Sequence, residues 1–152
     1  MSLCDPSFVS AGISGHPSTP GLLDTSTVIL LGRIAAEELP DEVVISAITL
    51  AELSIGPLVA TSYEDQIARL AHLQQAEADF EALPFDAASA RAFGRVAAAL
   101  RTAGRKPAAR AYDVLIAATA ISNGLTLYTC NPSDFAGIDE LDVVAVPHPN
   151  PR

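Results

Sequence analysis

The chain has 152 residues, of which 49% are hydrophobic and 18% charged, with a formal net charge of −9. This length and composition suit a single domain with a substantial core, and they exclude a disordered chain and a membrane-spanning one, because no apolar run approaches the ~20 residues of a transmembrane helix. The acidity argues against a general nucleic-acid binder, since contact with phosphates would need a local basic patch or bridging cations.

The two ends of the chain differ in composition from the middle. Residues 1–20 are rich in Ser, Gly and Pro and show no periodicity, which predicts a flexible N-terminal tail. They also lack the basic start and apolar run of a signal peptide, so we expect a cytoplasmic protein. The folded domain is predicted over 21–148, with a short C-terminal tail over 149–152. Cys4 and Cys130 have neither zinc nor disulfide spacing and are expected to be free thiols.

Apolar segments alternate with helical patterns in the first half of the domain. GLLD is typical of a buried strand, and TVILLGRIAAEEL after it predicts a helix. EVVIS repeats the pattern and leads into a second short helix, ITLAELSIGPL, which is expected to end near Gly56-Pro57.

The second half continues the alternation. SYEDQIARLAHLQQAEADF and AASARAFGRVAAALRTAG have the spacing of surface helices, with FEALPF as a strand between them. A buried helix follows in RAYDVLIAATAISNG and is expected to stop at Asn-Gly. The last segments are a strand, a turn and a strand: LTLYT, NPSDF and DVVAVP. This order predicts an α/β fold with a mostly parallel central sheet covered by helices on both faces.

Four carboxylates are predicted to share one edge of that sheet. Asp24 closes the first strand, and Asp134 follows LTLYT. Glu52 lies early in the helix after EVVIS, and Asp113 lies near the start of the helix that precedes LTLYT. Ligands of open α/β sheets bind beyond the carboxyl ends of the strands, so this edge is the predicted functional site.

Each acid also has a simpler interpretation when it is taken alone. Asp24 would cap a helix, and Glu52 would close a capping box with the threonine three residues before it. Asp113 would pair with the arginine one turn earlier, and Asp134 would stabilise a turn by bonding to the nearby backbone. Four unrelated caps, however, have no reason to fall on the same edge.

Converging carboxylates repel one another and raise each other's pKa unless a cation is present. Oxygen ligands of this kind suit Mg²⁺ or Mn²⁺ rather than zinc. Such ions activate water and stabilise charge during phosphodiester hydrolysis. The joint interpretation therefore makes Asp113 a metal ligand and the protein a metal-dependent nuclease.

Basic residues precede Asp113 in the chain. Arg101, Arg105, Lys106 and Arg110 account for four of the nine positive charges, and their position favours phosphate binding. The alternative is a solvated helix end and loop, which is the usual role of such a run.

Other polar residues near the predicted edge have two interpretations. The side chains of Ser26, Thr129 and Asn131 would bond the acids, a metal-bound water or substrate, or else act only as caps. The three histidines lack the mutual spacing of a ligand set and are interpreted as surface residues: His16, His72 and His148.

The ordered set LLDTS, TLAEL, RAYDVLIAATA and YTCNPSDF resembles PIN-domain nucleases, particularly the VapC-type toxins of bacterial toxin–antitoxin pairs. The resemblance spans roughly Gly21 to Pro147. It implies a three-layer α/β/α sandwich and a Mg²⁺- or Mn²⁺-dependent endoribonuclease that forms homodimers, cuts cellular RNA and is held inactive by a VapB-type antitoxin.

The resemblance also implies a role for each acid. Asp24 and Asp113 would be the principal metal ligands, Glu52 would bind or orient a second ion or the nucleophilic water, and Asp134 would complete the cluster. Apart from the resemblance, the position of five residues near this edge leads us to expect substrate contacts from their side chains: Ser26, Lys106, Arg110, Thr129 and Asn131.

Two other functions stay open from the sequence. One is a catalytically silent interaction module, motivated by the apolar surface expected from ITLAELSIGPLVA and by the acidic exterior. The other is a DNA structure-specific nuclease, which the small size of the chain makes less favoured.

Overall fold

A computed structural model describes residues 19–150 of the chain. The expectations for residues 1–18 and 151–152, including those for Cys4 and His16, lie outside the described residues. The first strand already includes Pro20, one residue before the predicted start of the domain.

Five parallel strands form one sheet in the order β3-β2-β1-β4-β5. Their bounds are β1 Pro20–Leu23, β2 Glu42–Ser46, β3 Glu81–Leu83, β4 Thr126–Thr129 and β5 Val143–Ala145. The first strand is central, with β2 and then β3 added on one side of it and β4 and then β5 on the other. The predicted parallel sheet is confirmed, and its switch point lies at the end of β1, where ligands bind in open α/β sheets.

Five helices cover the sheet. Their bounds are α1 Thr25–Ile29, α2 Ala47–Val59, α3 Tyr63–Asp79, α4 Ala87–Thr102 and α5 Ala111–Ser122. The predicted Asn-Gly stop of α5 is confirmed, because Asn123 caps the helix and Gly124 has a φ of 64°, which favours glycine. Among residues 19–150, no helix is long and apolar enough to span a membrane.

The side chains of the central strand divide the core into two halves. Leu22 packs in the cluster that includes residues of α4 and α5, whereas Leu23 packs with residues of α1, α2 and α3. Successive residues of a strand point to opposite faces, so the sheet carries a helical layer on each face. This arrangement confirms the three-layer α/β/α architecture.

The lengths of two helices differ from the prediction. The segment TVILLGRIAAEEL forms only the short α1 followed by 3₁₀ turns at Leu31–Arg33 and Ala36–Glu38. Gly32 disfavours a helix, and no side chain of the two turns is fully buried, although Leu31 packs partly against the core. Conversely, α2 continues two residues past Pro57 to Val59.

Candidate active site

The four acids occupy the carboxyl edge of the sheet. Asp24 is the N-cap of α1, directly after β1, and Glu52 lies in the second turn of α2. Asp113 lies in the first turn of α5, and Asp134 lies in a 3₁₀ turn after β4. The charges of the other three acids all raise the pKa of Asp113. The structure therefore brings together the four residues that the sequence placed at this edge.

The most buried acid is Asp24, which is only 3% exposed. Its Oδ1 accepts hydrogen bonds from the amide and hydroxyl of Thr27, and its Oδ2 accepts one from Thr129 Oγ1 at 2.8 Å. Burial raises the pKa of Asp24, whereas these hydrogen bonds lower it. The predicted cap is confirmed, and the same carboxylate also belongs to the acid cluster.

The hydroxyls that hold Asp24 also connect the ends of β1 and β4. Thr27 Oγ1 accepts a hydrogen bond from the amide of Cys130 at 3.0 Å, and Thr129 Oγ1 accepts one from the amide of Asn131 at 2.9 Å. The side chain of Asn131 donates to Ser26 Oγ at 3.0 Å. Thr129 is fully buried, so its hydroxyl contacts the carboxylate of Asp24 from the interior of the domain.

Two threonines support Glu52. Thr25 Oγ1 donates to Glu52 Oε1 at 2.7 Å, and it lies 3.0 Å from Thr49 Oγ1. Burial raises the pKa of Glu52, the hydrogen bond from Thr25 lowers it, and the charge of Asp24 raises it. The capping-box interpretation of Glu52 is wrong, because α2 begins earlier and its cap is Ser46, which accepts from the amide of Ile48 at 3.0 Å.

Asp113 has the most perturbed environment of the four. Burial, followed by the charges of Asp134, Asp24 and Glu52, raises its pKa from 3.8 to about 6, and the charge of Arg110 opposes the change. No hydrogen bond contributes to this balance. A carboxylate with a raised pKa in a cleft of other carboxylates is the expected signature of a functional site.

Arg110 pairs with a different acid from the one that the sequence suggested. Its Nη1 lies 2.5 Å from Asp134 Oδ1, and this ion pair raises the pKa of the guanidinium. The predicted pair between Arg110 and Asp113 is therefore wrong as a direct contact. A helix spacing of three residues allows that contact, but the turn after β4 brings Asp134 closer to the guanidinium.

The donor set fits a hard divalent cation. It consists of carboxylate oxygens that repel one another, and a cation would relieve that repulsion. Among residues 19–150, no three His, Cys, Asp or Glu side chains already stand close enough to surround an ion. Three of the acids are held by protein donors instead: Asp24 by Thr27 and Thr129, Glu52 by Thr25, and Asp134 by Arg110. These side chains would have to rotate away from their present partners to enclose an ion.

Several residues at the site were not found from the sequence. The hydroxyls of Thr25, Thr27 and Thr49 were missed, although the run of hydroxyl residues after Asp24 is the signal that would have revealed the first two. His72 was interpreted as a surface histidine, but it is only partly exposed and lines a cavity of about 450 Å³ together with Glu52. The expected free thiol Cys130 is buried, and burial raises its pKa.

The family profile described as "PIN domain" matches residues 22–141. The chain belongs to the PIN-domain family. PIN-domain ribonucleases are in general dependent on divalent metal ions, as the all-carboxylate site of this PIN domain would require.

Individual relatives lie in the VapC branch of the family. The chain is 41% identical to Ribonuclease VapC5 of Mycobacterium tuberculosis over 78% of this chain and 87% of that protein. It is 32% identical to Ribonuclease VapC1 of Rickettsia felis over 82% and 95% of the respective chains. A chain of the crystal structure of VapBC-5, a toxin–antitoxin system of Mycobacterium tuberculosis, matches with a TM-score of 0.74 and 34% identity, over 86% of this chain and 100% of that one.

Proposed function

We propose that this PIN domain is a Mg²⁺- or Mn²⁺-dependent endoribonuclease that acts in the cytoplasm as the toxin of a toxin–antitoxin pair. The observation that carries the proposal is the convergence of four carboxylates around Asp113, whose pKa is raised to about 6. The relatives named as VapC ribonucleases support the choice of RNA as substrate.

The environments of the acids suggest their roles. Asp24 and Asp113 would be the principal metal ligands, because Asp24 is fixed by two threonines and Asp113 has no hydrogen bond to lose. Glu52, positioned by Thr25, would hold a second ion or orient the attacking water, and Asp134 would complete the cluster. A bound divalent ion would activate that water and stabilise the charge on the phosphate oxygens.

Substrate contacts would come from side chains that reach the surface of the site. Ser26 and Asn131 are hydrogen-bonded to each other and partly exposed, and Lys106 and Arg110 are exposed. Fully buried Thr129 would instead act as a positioning residue for Asp24, through the hydrogen bond that it donates.

An apolar face of the α2–α3 hairpin supports the proposed partners. Six large hydrophobic side chains on these two helices are more than 40% exposed: Ile55, Leu58, Val59, Tyr63, Ile67 and Leu70. Exposed apolar patches of this kind mark protein interaction sites. We propose that a VapB-type antitoxin or a second copy of the chain covers this face, as the toxin–antitoxin complexes among the matched structures suggest.

The test is cleavage of cellular RNA by purified protein that has been freed of antitoxin. Wild type is expected to produce discrete RNA ends with Mg²⁺ or Mn²⁺ and none with EDTA. Asp24→Asn and Asp113→Asn should each abolish cleavage, whereas Asp139→Asn, an exposed acid outside the cluster, should cleave as wild type does. Equal activity of all four proteins would overturn the proposal, and inactivity of all four alongside tight partner binding would point to an interaction module.

A further inference from the structure

A second cavity adjoins the acid cluster on the side of α5. It has a volume of about 420 Å³ and lies between the end of α4, the 3₁₀ turn Pro107–Arg110 and the turn after β4. Arg110 and Asp134 belong both to its wall and to the site already described. A chain of nucleotides lying across the acid cluster would therefore pass the mouth of this cavity.

The charge of the cavity contrasts with that of the whole chain. Three of the nine basic residues line it, together with one carboxylate: Arg105, Lys106, Arg110 and Asp134. Among the described residues, no carboxylate pairs with Lys106. On a protein of net charge −9, this concentration of positive charge favours an anionic ligand.

The floor of the cavity is apolar. Leu100, Val114 and Ile138 line it, and each is at least nine-tenths buried. An anion alone would gain nothing from such a floor, whereas a ligand with a flat apolar part and an attached phosphate would use both surfaces. The volume lies within the roughly 300–1,000 Å³ typical of small-ligand sites.

Arg105 supplies a planar surface in the same cavity. Its Nη1 donates to the carbonyl of Ala136 at 2.8 Å, and its guanidinium lies over Gly137, where a Cβ would be 3.7 Å from Cζ. Guanidinium planes are platforms on which unstacked RNA bases lie. Arg105 is thus held in place by a contact that leaves its charge unneutralised.

We propose that this cavity receives one unpaired nucleotide of the substrate RNA next to the scissile phosphate, with the base against Arg105 and the apolar floor and the phosphate against Lys106. The inference rests on the proposed ribonuclease function and adds a nucleotide-binding site to it. Paired bases cannot leave a duplex to enter the cavity without an energetic cost, so single strands and loops are the expected targets.

Binding of a short unpaired oligoribonucleotide, measured by fluorescence anisotropy in EDTA at low salt, tests the inference without cleavage. Ala109 lines the cavity, and Ala108 in the same turn does not. Ala109→Phe should weaken binding roughly tenfold, as expected for the loss of one stacked base, while Ala108→Phe should stay within about twofold of wild type.

Two further variants keep the inference testable if Ala109→Phe lowers the melting temperature. Arg105→Lys retains the charge but loses the plane, so it should weaken binding severalfold. Lys106→Gln should reduce the slope of log K against log salt by about one, and Arg91→Gln, an exposed arginine elsewhere on α4, should affect binding less than Lys106→Gln does. A duplex of the same sequence should bind roughly tenfold more weakly than the single strand.

The possible outcomes separate the inference from the proposed function. Equal binding by the Ala108 and Ala109 variants, or no preference for the single strand, would overturn the nucleotide site even if wild type cleaves RNA with Mg²⁺. If Ala109→Phe loses a protein partner that co-purifies with wild type but still binds RNA as wild type does, the nucleotide site is also overturned. Binding that depends on the cavity in a protein that cleaves no RNA would support the site and refute the nuclease.

Discussion

Replacing Asp113 by Asn should stabilise the metal-free protein. A pKa raised from 3.8 to about 6 means that the charged form costs about 3 kcal/mol at neutral pH. Asp113 is only partly buried, and solvent screens part of this cost, so we expect a gain of about 1–2 kcal/mol. No hydrogen bond to Asp113 contributes to its pKa, and the substitution therefore removes charge without breaking a strong local contact.

The gain should depend on pH with a defined sign. Because the pKa is higher in the folded state than in the unfolded state, the folded protein loses stability as pH rises from 3.8 to about 6. Below that window Asp113 is neutral in both states, and the variant should match wild type. Above it the full difference should be present.

Urea unfolding in EDTA at pH 3, below the window, and at pH 7.5, above it, measures the difference. In thermal melts at pH 7.5, a chain of this length should melt about 3–6 °C higher as Asp113→Asn than as wild type. Asp139→Asn, an exposed acid outside the cluster, should change the free energy of unfolding by less than about 0.5 kcal/mol. A variant of Asp113 that is no more stable than wild type at pH 7.5 would refute the claim that burial and the neighbouring carboxylates make the ionised form of Asp113 unfavourable at this site.

Four other changes probe the same site and its surroundings. Mg²⁺ at about 100 times its dissociation constant should raise the free energy of unfolding of wild type by about 2.7 kcal/mol, and thermal melts of Asp113→Asn should show a smaller rise. Thr129→Val leaves the buried Asp24 without one donor, so urea unfolding should show a loss of about 1–3 kcal/mol, and calorimetry should show weaker Mg²⁺ binding. Arg110→Gln breaks an ion pair between partly exposed side chains, so it should lower stability by less than about 1 kcal/mol, and a larger loss would show that the pair is more than a surface contact. Leu58→Glu on the apolar face, where Leu58 is 84% exposed, should weaken partner binding or dimerisation in light scattering without lowering the melting temperature.

The limits of the sequence appear at particular elements. Only the short α1 formed from the helix predicted over TVILLGRIAAEEL, because local spacing does not reveal whether a face will be buried. No side chain of residues 31–38 is fully buried. The helix α2 was expected to end near Gly56-Pro57, but it continues two residues further, to Val59, and packs on α3. The capping box failed because the start of a helix depends on which residue takes the extended conformation, and that residue is Ser46.

The sequence by itself determined the order of strands and helices and, with it, the edge on which Asp24, Glu52, Asp113 and Asp134 lie. Apolar periodicity identifies the elements, and parallel strands place their carboxyl ends on the same side of a sheet. Only the tertiary structure decided which partner each charge takes, because hydrogen bonds and ion pairs extend over a few ångströms and depend on side chains from several elements at once. That is why the pairing of Arg110, the threonines behind Asp24 and the basic cavity beside Asp134 emerged only from the packed molecule.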